Sequence, residues 1–177
     1  MTSAELLIDA FGRIRQIVDG VVRGLTPEQL VFRVDDTANS IAWLVWHLTR
    51  IQDDHIADAA QIEQVWTSRG WAERFGLPFD EGATGYGHAT DEVAAVKVGS
   101  GELLVDYHDA VYEQTIRYVE RVTDPDLDRI VDESWDPPVS LGVRLVSVIG
   151  DNLEHAGQAA FVRGIVLRRE SGAAKGR

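Results

Sequence analysis

The sequence has no cysteine, which excludes a disulfide scaffold, a thiolate zinc site and a cysteine nucleophile; any thiol chemistry must use a thiol brought from outside. Basic residues are scarce: 17 Lys plus Arg stand against 29 Asp plus Glu, a net charge of -12. A field of that sign repels polyanions, so nucleic acid is not expected as a partner. Long apolar runs are missing too. Glu5 and Asp9 break the stretch where a secretory signal would need continuous apolar residues, and Arg144 and Asp151 interrupt the most hydrophobic later segment. Neither export nor a membrane span is expected, and a cytoplasmic location is. What is present suffices for a core: 45% hydrophobic residues, with 5 Trp, 5 Phe and 4 Tyr, exclude disorder of the whole chain. At roughly 150 residues per domain the length favours one domain, placed at residues 1–170, with 171–177 as a flexible tail.

Leu7, Phe11, Ile14, Val18, Val21 and Leu25 recur at steps of three and four, the apolar stripe of an amphipathic first helix over residues 2–25. Thr2 with Glu5, and Thr26 with Pro27 and Gln29, read as capping boxes, the second opening a short extra turn. Ser40 is the expected N-cap of a second long helix through Trp43, Leu44, Leu48, Ile51 and His55. Between about Trp66 and Ser100 glycines and Pro78 break the periodicity, leaving a long crossover with one short helical candidate at 91–98. A third helix is expected from about Ser100 to Val122 and a fourth from near Ser140 to Arg168 and Arg169. No strand pattern competes. The fold class expected is all-α, a four-helix bundle with a long crossover between helices two and three.

Ionisable groups on an apolar stripe are costly to bury unless paired or bound to something, so they mark where to look for chemistry. The second helix carries His47 between Leu44 and Ile51, and the fourth carries Asp151 and His155 one turn apart on one face. Two neutral imidazoles and a carboxylate can hold a divalent ion at about 2.0 to 2.2 Å with positions left open, the arrangement of a catalytic rather than a closed structural site. Surface ion pairing or a buried hydrogen-bonded pair would use the same residues. Two His and a carboxylate also describe an oxygenase iron triad, with no oxygen-specific signal beside it.

The segments SIAWLVWHL (residues 40–48) and DNLEHAGQ (residues 151–158) resemble the two signature stretches of the DinB superfamily, which includes the metal-binding domain of mycothiol-dependent maleylpyruvate isomerase. The resemblance implies a four-helix bundle that binds a divalent metal, zinc or nickel, through His47, Asp151 and His155. The carboxylate at position 151, where the commonest DinB pattern has His, is similar to the mycothiol-dependent branch. That branch implies a metal-activated S-transferase or isomerase using mycothiol or another low-molecular-weight thiol, with a small electrophilic substrate. Gly157 and Gln158 complete the family's ending, read as close helix approach and a hydrogen-bonding group behind the ligands.

His108 lies on the inward stripe of the third helix and could be an acid/base group, the proton carrier of such a reaction, or a core histidine satisfied by a neighbour. His55, about 80° around the helix from His47, is expected at the surface or in bundle packing. His88 reads as a solvated loop residue unless the crossover closes over the site. Trp43 and Trp46 flank His47 as core packing or as a cavity wall, and Glu154 is expected in solvent. Glycines 82 to 87 lack the Lys-Ser/Thr of a phosphate loop. The remaining function classes are a metal-dependent hydrolase and a non-catalytic bundle that holds a metal or small ligand. A homodimer is left open, since no stretch of sequence marks a pairing face.

Overall fold

A computed structural model of the chain describes residues 1–175, with side chains through residue 169. Among the described residues eight α-helices follow one another: α1 (Ser3–Val22), α2 (Pro27–Leu30), α3 (Ile41–Ala60), α4 (Val65–Ser68), α5 (Trp71–Phe75), α6 (Thr90–Ala95), α7 (Gly101–Val119) and α8 (Leu141–Lys175). Both capping boxes form: Thr2 and Thr26 accept from the backbone N–H three residues on, and Glu5 and Gln29 return the bond. Ser40 and Ser100 cap α3 and α7 in the same way, through the Trp43 and Leu103 amides.

The four long helices are the bundle. α1 and α3 each pack against both α7 and α8, and so occupy opposite corners. Contacts across the seams fix directions. Arg15 meets Asp109 while Gly101 lies against Val22, so α1 and α7 are antiparallel. The ring of His47 lies 4.8 Å from that of His155 and His55 reaches Arg144, so α3 and α8 are antiparallel. Thr49 meets His108 and Ala59 meets Tyr118, so α3 and α7 run parallel. Parallel neighbours cannot be joined by a tight turn, which is why the chain between them is a long crossover.

That crossover is more ordered than its composition suggests. It contains α4 and α5 besides α6, the short helix expected at 91–98 and found at Thr90–Ala95. Helices of four and five residues fall below the window in which periodicity can be read. Trp66, Trp71 and Phe75 gather around Tyr107 with ring centroids 5.2 to 5.7 Å apart, the spacing of packed aromatics. The crossover covers the side of α3 that the bundle leaves open, and every residue from Ser40 to Asp53 is buried as a result.

A two-stranded ribbon also departs from the sequence reading. β1 (Ile130–Asp132) pairs antiparallel with β2 (Val139–Ser140), after a 3₁₀ turn at Asp124–Asp128 and before α8. Strands of three and two residues leave no alternation to detect. The α8 backbone continues past Arg169 to Lys175; of the expected tail at 171–177, the side chains and the last two residues lie outside the described residues. No helix among the described residues is long and apolar enough to cross a membrane.

Candidate metal centre

Antiparallel packing of α3 on α8 sets one turn of each helix against the other. Trp43 and His47 project from the α3 turn, and Asp151 and His155 from the α8 turn. One ligand atom from each of His47, Asp151 and His155 lies within 4.8 Å of the others. Ligands at about 2.0 to 2.2 Å from an ion are at most about 4.4 Å apart, so the three residues need only a small inward shift to share one. His155 Nε2 is 3.9 Å from Asp151 Oδ1, too long for a hydrogen bond. Asp151 Oδ2 and His155 Nδ1 are buried without any partner. Two imidazoles and a carboxylate set together without bonding one another fit a cation, because one nitrogen of each neutral ring and the carboxylate oxygens offer lone pairs.

His47 is 4% exposed and its Nδ1 lies 2.6 Å from the Thr84 carbonyl. A carbonyl only accepts, so Nδ1 carries the proton and donates, and Nε2 keeps its lone pair. Burial holds the imidazole below its ordinary pKa; the Thr84 bond opposes this, His155 adds to it and Asp151 offsets part. The ring is therefore neutral at pH 7, the form that ligates. Trp43 stacks on it at 4.5 Å and 15° and closes one side to water. The Trp43 indole Nε1 donates to His88 Nδ1 at 3.3 Å, which brings the crossover histidine over the wall of the centre.

The sequence matches that of the mycothiol-S-transferases over residues 6–166. The chain belongs to the mycothiol-S-transferase family. No protein of curated function matches it. A crystal structure described as the conserved protein of a locus from Enterococcus faecalis superposes with a TM-score of 0.88 at 29% identity, over 94% of this chain and 98% of that one. The all-α, DinB-like fold expected from the two signature stretches is the fold observed.

Within this mycothiol-S-transferase family chain the other histidines go elsewhere. His108 sits in the α3–α7 seam and not with the three on the α3–α8 seam. The Thr49 hydroxyl donates to the Val45 carbonyl, so toward His108 Nδ1, 3.2 Å away, it accepts; His108 Nε2 is then a buried lone pair with no partner. Burial pulls this histidine down to about 4. His55 accepts from Arg144 at 3.3 Å, away from the three as its helical angle requires. Glu154 is exposed. Trp46 packs with Trp66, Phe79 and His88 in the crossover core.

Two expectations are corrected. Gly157 has open space where a Cβ would stand, so no helix approaches closely there. Gln158 is exposed beside Gly157 and Phe161, with no hydrogen bond to a ligand; seven residues return it to nearly the same side of α8 as Asp151 but about 10 Å farther along the axis. The group behind His47 is instead the Thr84 carbonyl, on a loop 37 residues away. A backbone acceptor leaves no mark in the residue pattern. Arg50 and Asp53, buried side by side next to His47, did leave one, as two charges three apart on the inward face of α3.

Proposed function

We propose that this protein is a metal-dependent thiol S-transferase or isomerase that joins mycothiol or a similar low-molecular-weight thiol through its sulfur to an electrophilic carbon, the thiol giving up its proton and the carbon a leaving group or a π electron pair. His47 through Nε2, His155 and one Asp151 oxygen hold a divalent cation, zinc or nickel by the preference of imidazole-rich sites. When bound, the cation supplies a Lewis acid that favours the thiolate, which at an ordinary pKa near 8.5 is only about 3% of the thiol at pH 7. The observation that carries the reading is the convergence of His47, Asp151 and His155, one ligand atom of each within 4.8 Å of the others with no hydrogen bond among them, while Asp151 Oδ2 and His155 Nδ1 are buried without a partner.

The remaining residues shape access. Trp43 shields His47, and burial keeps His47 neutral and ready to ligate. A groove of about 850 Å³ starts one turn along α3 from His47, at Ile51, and runs past His55, Thr84, Tyr86, Trp135 and Arg144. It is large enough for the non-reacting part of a thiol. His108 serves as a proton carrier only if its Nε2 gains a path across α3, which makes its substitution informative.

The test is metal content and thiol dependence together. The purified wild-type chain carries about one equivalent of metal, His155→Ala carries none, and only the wild type consumes an electrophile in a thiol-dependent way. Equal trace metal in both proteins would end the reading. Bound metal with thiol-independent turnover would indicate a hydrolase, and bound metal with no turnover across a thiol panel a binding module.

A further inference from the structure

Three successive crossover residues press on α3 beside the candidate centre. The Ala83 carbonyl accepts from Arg50 Nε at 3.1 Å, and the Thr84 carbonyl accepts from His47 Nδ1 at 2.6 Å. Gly85 follows with φ +93°, and a Cβ there would lie 2.8 Å from His47 Nδ1 and 2.9 Å from Trp46 Cζ3. Real Cβ contacts are not that short, so the backbone sits closer to the imidazole than any residue with a side chain permits.

Arg50 is itself immobilised. It is fully buried, donates from Nη1 to Gln64 Oε1 at 2.8 Å, lies 4.9 Å over the Trp66 ring and has Asp53 at 3.8 Å. Asp53 accepts from the Val65 and Trp66 amides at 2.8 and 2.7 Å and from the Tyr107 hydroxyl at 3.0 Å. One buried pair on α3 thus pins the crossover at two places, near 64–66 and at 83, and Arg50 stands three residues from His47.

We propose that Ala83 to Gly85 form a positioning strap for His47, held in place by the Arg50–Asp53 pair. The strap keeps the proton on Nδ1 and leaves the Nε2 lone pair for a cation. Gly85 and Arg50 are positioning residues. The inference rests on the reading of His47 as a ligand, and it assigns the affinity of the centre partly to a loop that supplies no ligand. Outer groups that orient a ligating imidazole are worth about 10- to 100-fold in metal affinity.

The loop contains its own control. Gly87 also has a positive φ, +74°, but a Cβ there meets open space. Gly85→Ala and Gly87→Ala therefore introduce the same kind of backbone strain, and only the first pushes on His47. Zn²⁺ dissociation constants of the full chain are measured by competition with a chelating dye, with thermal melting alongside. Gly85→Ala is expected to weaken Zn²⁺ binding by about 10- to 100-fold, while Gly87→Ala leaves it unchanged and both lower the melting temperature. Equal losses of Zn²⁺ affinity in the two variants overturn the strap.

A second readout needs neither a variant nor a metal. Ring ¹⁵N spectra of the metal-free wild type are expected to show His47 protonated on Nδ1 and bare on Nε2. The opposite tautomer overturns the proposal even if Gly85→Ala fails to fold. Should the wild type bind no Zn²⁺, the metal reading fails while these spectra still decide whether the strap holds the ring.

Discussion

Two groups of polar side chains interrupt the apolar interior within a turn of each other on α3, and the fold treats them in opposite ways. Arg50 and Asp53 are bonded at all but one polar atom: the carboxylate takes two backbone amides and a phenol, and the guanidinium donates to a carbonyl and an amide oxygen and lies over the face of an indole, with Nη2 buried and unpartnered. His47, Asp151 and His155 come together without bonding one another, and two of their atoms are buried alone. Leaving a buried donor or acceptor unmade costs about 1–3 kcal/mol. The first group is masonry that ties the crossover to the bundle. The second carries a penalty that, on the proposed reading, a cation removes.

The comparison breaks most visibly at Asp53. Removing one partner of a buried ion pair is expected to cost on the order of 3–5 kcal/mol, so Asp53→Ala should show a large fall in urea midpoint. His155→Ala, measured without metal, should fall little or even gain. Similar losses in the two would erase the distinction.

His108 is an intermediate case, satisfied at Nδ1 and orphaned at Nε2. Its folded pKa of about 4 lies below the ordinary 6.5, mainly through burial, with Arg15 adding to the shift and Asp109 opposing it. Between those values the unfolded chain binds the extra proton, so stability rises with pH and is lost as pH falls from 6.5 toward 4. The loss amounts to about 3 kcal/mol at 1.36 kcal/mol per pKa unit. The difference in unfolding free energy between wild type and His108→Gln across that window measures it, and a pH-independent difference counts against the assignment.

Adding metal sharpens the contrast from the other side. A ligand that binds only the folded state at 100 times its dissociation constant stabilises by about 2.7 kcal/mol. Zn²⁺ should raise the melting temperature of the wild type, a chelator should reverse it, and neither should act on His155→Ala. The smallest effect is expected for Asp151→His, where imidazole replaces carboxylate and the ion is retained or bound more tightly. A folded Asp151→His chain that has lost its metal would contradict this.

Much of this was legible beforehand because it is local. Thr2, Thr26 and Ser40 cap helices through bonds spanning three residues, and the step of four from Asp151 to His155 puts both on one face of any helix. The triad was legible through two short stretches, each contained in a single helix. The α4 and α5 helices and the β1–β2 ribbon were not, since each is shorter than the pattern that would reveal it and exists by packing on α3, α7 or α8. The place of Gln158 was misread because sharing a face of α8 with Asp151 does not bring it near the ligands: it stands about 10 Å along the axis, where α8 is open to solvent.

Sequence alone settled which side chains are available: four amphipathic rods, three ligand-type residues on two of them, and no thiol. Periodicity and caps depend on neighbours within a turn, so they are written into the order of residues. Tertiary structure decided what those side chains meet. That α3 runs antiparallel to α8, bringing residue 47 to 155, and that a carbonyl at 84 and a bare backbone at 85 close on the imidazole, follow from how the crossover packs. Contacts across tens of residues arise from burying the whole core at once, and no local rule encodes them.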